Sequence, residues 1–366
     1  MNRIKILTGL TVLSLLAVSC HERKGTVRDT IPYVKQLAVD TAGTFSLVHA
    51  YRNAGTEGSI AILGEPEAAL ELAAQFLSAD RCDNIDGKLG ADRLPDFAGE
   101  TFDVLMDLYN APYGRLAASA PDSLREVAAR NAVMVVDTVA YSNALDMGTR
   151  LRKSRAKVFI LASSLMEKYG RFDVDTLFRM AGRQPLILTP VQALYTAAVE
   201  QGCKQVVVWS SEESVSVYDS LSRRYAPGVE VSVCSVPVGD DPRAAFRTLL
   251  RQVRTRNPRI VVDAVLLDSY LMNLPALEAE LVHIRRQITE EDLSFDRMLS
   301  PDFHFIDPES SLTLSCYRLL RQQNLFTHNI AYPSARYYQT EEGPDGDYVM
   351  VEVGVDYLES HVPDHH

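Results

Sequence analysis

Apolar positions fall into short runs separated by stretches with a helical beat. "SIAIL" (59–63) is continuous enough to predict a strand buried on both faces, and it leads into "GEPEAALELAAQFL". There Pro66 suits a first helical turn, while Ala69, Leu72, Ala73 and Phe76 share one face. "FDVLMDLY" (102–109) and "KVFILAS" (157–163) repeat the strand pattern on either side of a helical stretch through Ser123–Val139, whose inner face carries Leu124, Val127, Ala128 and Asn131. "PLIL" (185–188) precedes Thr189-Pro190 and a helix with Val191, Leu194, Tyr195 and Ala198 on one side, ending at Gly202. "KQVVVWSS" (204–211), "VEVSVCSV" (229–236) and "RIVVDAVLL" (259–267) are further strands. Helices around Val217, Leu221 and Tyr225, and around Phe246, Leu249, Leu250 and Val253, separate them. After "FHFID" (303–307) come a helix through Leu312, Cys316 and Leu319 and the alternating "DYVMVEVGVDYLE" (347–359), a half-buried strand.

Strand and helix in regular succession predict an α/β protein whose parallel strands are covered on both faces. The expected architecture is two doubly wound, mainly parallel βα lobes with an interlobe cleft. The first lobe takes residues 46–184 plus about 303–366 and the second 185–302. No internal repeat, low-complexity tract or heptad pattern interrupts this reading.

The start of the chain has a different character. Arg3 and Lys5 precede an apolar stretch over 6–18, and Ala17, Val18 and Ser19 lead into Cys20. A charged start, a core too short to span a bilayer and small residues at the end describe a secretory signal. The stretch resembles a bacterial lipoprotein signal, which implies a signal peptide over 1–19, lipidation at Cys20 and a polar tether over 20–45. The expected location is the cell envelope, with the protein held to a membrane through Cys20; His21 after that cysteine leans toward the outer membrane.

Charge narrows the partners. A formal net charge of −11, with no cluster of basic and aromatic residues, argues against nucleic acid. Cys82, Cys203, Cys234 and Cys316 show no CxxC spacing and no adjoining histidine ligands, and Cys234 sits within an apolar run as a small hydrophobe.

A lipoprotein signal followed by two βα lobes resembles the type I periplasmic binding protein-like superfamily. The resemblance implies a small polar solute held between the lobes, with a transporter permease as partner and no cofactor. Open parallel sheets place ligands beyond the carboxyl ends of their strands. Reading along those ends selects Glu65, Asp107, Asn110, Ser163, Ser164, Thr189, Ser210, Ser211 and Asp268 as ligand-binding candidates. Each Ser, Thr or Asp among them is also a competent helix cap.

Catalytic motifs are absent: no GxSxG, HExxH, GxxxxGK[ST] or GxGxxG occurs. The aspartate/glutamate racemases share a similar alternation, but their chemistry needs a cysteine from each lobe at the cleft. Ser163-Ser164 and Ser210-Ser211 stand at the strand ends instead, which disfavours a two-thiol mechanism. The chain therefore reads as a binder before an enzyme. An envelope hydrolase using cleft carboxylates or serines and a non-transport surface interaction protein are the alternatives. The acidic loop 79–100 has oxygen donors for calcium, but aligning Gly87 with a calcium loop puts Cys82 at the first ligand position. A solvated or cleft-lining loop is expected there.

Overall fold

The computed structural model describes residues 28–39, 44–51, 55–268, 272–344 and 346–354. The strands of the body from Ile31 onward are β1 (Ser59–Gly64), β2 (Thr101–Met106), β3 (Val139–Tyr141), β4 (Arg150–Arg152), β5 (Ala156–Leu161), β6 (Ile187–Leu188), β7 (Gln205–Ser210), β8 (Glu230–Ser235), β9 (Val262–Leu267), β10 (Leu299–Ile306), β11 (Ser334–Glu342) and β12 (Tyr348–Val353). They form two sheets, ordered β4-β3-β12-β11-β2-β1-β5-β6 and β10-β9-β7-β8. Every pairing in the second sheet is parallel, and in the first only β11 with β12 and β3 with β4 run antiparallel. The protein is thus α/β with mainly parallel sheets.

Local sequence explains these elements. All six residues of β1 are buried because parallel neighbours flank it on both edges, Ile62 aligning with Val104 of β2 and with Ile160 of β5. The following helix, Pro66–Ser78, buries Ala69, Leu72, Ala73 and Phe76 and starts on a proline, whose missing N–H costs nothing in a first turn. Helix Pro190–Glu200 begins where the Thr189 hydroxyl accepts from Gln192 N, and its end is released by Gly202 at φ 76°, a conformation that favours glycine.

The core runs across both sheets. One cluster joins Ala61 and Leu63 of β1 to Val206 and Val208 of β7 and to Ala264 and Leu266 of β9, with Val191, Leu194 and Tyr195 among the residues of the same cluster. Each fully buried Val or Leu side chain of this cluster contributes roughly 1.5–3 kcal/mol. Polar contacts reinforce the junction: Tyr195 donates to Tyr218 O at 2.9 Å, and Lys168 Nζ donates to Ser216 Oγ at 2.7 Å.

Several boundaries differ from the sequence reading. β6 belongs to the first sheet and β10 to the second, so the chain changes sheets near 189 and again near 307. The stretch expected as a tether contains helix Pro32–Val39, since Ile31, Val34 and Leu37 recur at a spacing of three and are buried. β11 went unread because Arg336, Gln339, Thr340 and Glu341 disguise it; it nevertheless lies between β2 and β12. Val355 and the signal region, Cys20 included, lie outside the described residues. Among the described residues no helix is long and apolar enough to cross a membrane.

Candidate active site

A cavity of about 230 Å³ opens where the carboxyl ends of β1, β5 and β9 converge. Glu65 reaches it from the end of β1, Ser163 and Ser164 from the end of β5, Ser211, Glu213 and Ser214 from the turn after β7, and Asp268 from the end of β9. Glu67 and Glu71 complete the acidic lining from helix Pro66–Ser78. Among the described lining residues there is no Lys, Arg or His.

Each carboxyl is held differently. Glu65 Oε1 accepts from Tyr113 N at 2.8 Å, which fixes its orientation instead of capping its own helix. Burial raises its pKa, that one hydrogen bond opposes the rise, and Glu213, Asp107 and Glu67 add to it. Asp268 Oδ1 accepts from the Tyr218 hydroxyl at 2.5 Å, and Oδ2 from Ser211 N at 3.4 Å. Enclosure of the Asp268 carboxyl outweighs these donors and that of Ser214, pushing its pKa up to about 6. Outside the lining, burial together with Asp307 and Glu71 pushes Glu309 up to about 7.

Glu213 approaches the main chain of Gly114 so closely that a Cβ there would stand 2.1 Å from Glu213 Oε2. The serines are tied together. Ser164 Oγ and Ser214 Oγ are 2.8 Å apart, Ser211 Oγ donates to Ser214 Oγ at 3.1 Å, and Ser163 Oγ accepts from Leu165 N.

Of the sequence candidates, Glu65, Ser163, Ser164, Ser211 and Asp268 line this cavity. Asp107 does not: it is fully buried and its carboxylate accepts from Asn110, Tyr113, Asn131 and Thr340 at 2.7–2.9 Å. Asn110 is one of those donors. Thr189 is a buried helix cap, and Ser210 is buried with its hydroxyl donating to Ser211 O at 2.8 Å. Glu67, Glu71 and Glu213 were missed, although Glu67 and Glu71, four residues apart, lie off the buried face of their helix and were legible as a polar pair.

The acidic loop keeps its carboxylates for itself. Asp80 accepts from Asp92 N and Arg93 N, Asp83 from Ile85 N and Asp86 N, and Asp96 from Arg81 N and Cys82 N. None of the four described cysteines lines the cavity; all are buried and free.

No protein-family model matches the chain, and no curated protein matches it. Among solved structures it is similar to the glutamate racemase of Francisella tularensis subsp. tularensis SCHU S4 in complex with D-glutamate, at 14% identity and a TM-score of 0.50, over 80% of this chain and 91% of that one. The glutamate racemase of Thermus thermophilus in complex with β-chloro-D-alanine gives 14% identity and 0.49, over 80% and 90% of the two chains. A putative Asp/Glu racemase from Yersinia pestis gives 11% and 0.42, over 72% and 100%.

The first of these likenesses establishes a racemase-type fold. It corrects the expected resemblance to periplasmic binding proteins, and with it the readings as a lipid-anchored solute-binding protein with a permease partner, an envelope hydrolase or a non-transport surface interaction protein. The physical reason is that strand–helix alternation belongs to every doubly wound fold, whereas the order of strands within a sheet is set by tertiary contacts that periodicity does not record.

Proposed function

We propose that the chain is an enzyme that moves a proton at a carbon centre of a small amino compound, with Glu65 and Asp268 as the acid–base pair. One observation carries this reading: two carboxyls from the ends of strands in different sheets line one cavity, and the acidity of both is weakened by their surroundings. The racemase-type fold supports it, since the neighbour carries D-glutamate by its own description.

In the reaction, the ionised member of the pair removes a proton from carbon, breaking the C–H bond and leaving its electron pair on the substrate. The protonated member delivers a proton to the other face, forming a new C–H bond. No electron acceptor is consumed, and the two carboxyls exchange protonation states. A carboxyl pair serves this chemistry near neutral pH only if one member holds a proton there, which the upward shifts favour. The main-chain N–H of Ser211, the hydroxyl of Ser214 and the phenol of Tyr218 hold Asp268 in place. Delivery to the cell envelope also belongs to this proposal and rests on residues 1–20 alone.

The test is deuterium exchange. The protein is incubated in D₂O with a panel of L- and D-amino acids and amines, and carbon-bound deuterium is followed by NMR. Loss of inversion in both Glu65→Gln and Asp268→Asn, with exchange of no more than one enantiomer left in each, supports the pair; inversion or exchange of both enantiomers retained in either variant overturns its role.

A further inference from the structure

The acids of this cavity face no cationic side chain among the described lining residues. Glu65, Glu67, Glu71, Glu213 and Asp268 line it together, yet no ion pair among the described residues reaches any of them. Some buried acids elsewhere do meet a cation, Asp173 with Arg125, Glu100 with Lys157 and Asp292 with Arg247, each at 2.7 Å, while the buried Asp107 is held by neutral donors.

Some of the groups that could receive an anion are already engaged. Helices beginning at Pro66 and Pro190 present a proline without an N–H at their first position. Ser163 Oγ accepts from Leu165 N and keeps its O–H, Ser211 N turns toward Asp268, and Ser211 Oγ donates to Ser214 Oγ. An incoming carboxylate would therefore meet five acids and, among the described lining residues, no basic side chain. The acids also stand apart from one another: among the described residues no group of three or more His, Cys, Asp or Glu converges as a metal site. Charge spread along a lining suits an extended ligand better than a point ion.

We propose that the substrate is a small organic cation carrying an amine or guanidine group, not a dicarboxylate like the D-glutamate of the structural neighbour. The inference rests on the reading of this cavity as the active site. The cation enters between Glu65 on one side and Glu213 and Asp268 on the other, relieving the mutual repulsion that Glu65 and Glu213 now exert. Glu213 is its specificity determinant. Glycine at 114 is what lets that carboxylate lie against the neighbouring main chain, since an alanine methyl would occupy its place.

The experiment titrates full-length protein by calorimetry with 1,4-diaminobutane, with agmatine and with D- and L-glutamate at low and high salt. Binding of a cationic probe, weakened about tenfold by Glu213→Gln and again by Gly114→Ala, is the expected result. Weakening by added salt accompanies it, as charge attraction requires. Gly114→Ala is the second variant because the atoms nearest its added methyl belong to the movable end of Glu213.

Binding of glutamate but not of the amines, lost in Asp268→Asn, overturns the cationic substrate and leaves the active-site reading standing. Binding of any probe unaffected by Glu65→Gln, Asp268→Asn and Glu213→Gln, or no binding by either class at about 10 mM, overturns both.

Discussion

The Tyr218 hydroxyl lies 2.5 Å from Asp268 Oδ1 and donates to it, linking the helix after β7 to the end of β9. A donor to a carboxylate favours its charged form, so this bond restrains a pKa that enclosure drives upward. Tyr218→Phe should let it rise by about one pH unit, a change of about 1.4 kcal/mol between protonation states. The backbone oxygen of residue 218 still accepts from Tyr195, so the core contact survives. Carbon-13 NMR of the Asp268 carboxyl reads the effect; an unchanged titration would show that the bond does not form in solution.

Asp268 also makes stability depend on pH. Its folded pKa of about 6 lies above the ordinary 3.8, so the folded state holds the proton more tightly than the unfolded chain. Its contribution is therefore fully present below about pH 4 and is lost as pH rises through about 6. At neutral pH the ionised carboxylate costs on the order of 2–3 kcal/mol. Asp268→Asn resembles the protonated acid, and denaturant unfolding should find it more stable than the parent at pH 7 and nearly equal to it at pH 4. A gap of the same size at both values would assign the effect to packing.

Asp107 is a structural centre. With donors from Asn110, Tyr113, Asn131 and Thr340 on one fully buried carboxylate, it joins the loop after β2 to helix Pro121–Val136 and to β11. Asp107→Ala strands these groups in a low-dielectric interior and should destabilise the protein by roughly 3–5 kcal/mol. Thermal unfolding measures the loss. A variant that melts like the parent would mean that water replaces the missing oxygens.

Much of the fold was legible because buried parallel strands write themselves as continuous apolar runs: β1, β5, β7 and β9 all stand where such runs predicted them. β3 and β4, three residues each, are too short to show a period, and the polar β11 lacks one. The site was legible in part. Position after a strand marks residues near a sheet's ligand edge, but the same rule selects buried caps such as Thr189 and inward carboxylates such as Asp107. What separates Asp268 from Asp107 is the number of donors facing each, a tertiary property that one-dimensional spacing does not carry.

The proposed chemistry should not depend on a thiol. Cys82, Cys203, Cys234 and Cys316 are all buried, and burial raises the pKa of each, that of Cys82 up to about 11. A thiol held in its neutral form inside a core is a poor nucleophile and a poor base at neutral pH. Cys234 is the instructive member, since the Arg256 guanidinium sits 3.3 Å from its sulfur and burial still outweighs that attraction. In protein carrying Cys20→Ser, which removes the cysteine outside the described residues, iodoacetamide should label almost nothing until denaturant is added. Carbon–deuterium exchange should likewise survive prolonged treatment of the folded protein. Mass spectrometry locates any label and NMR follows the exchange in the same sample. Loss of exchange in step with alkylation of one of these four residues, before unfolding, would restore a thiol mechanism and displace Glu65 and Asp268 from the roles proposed for them.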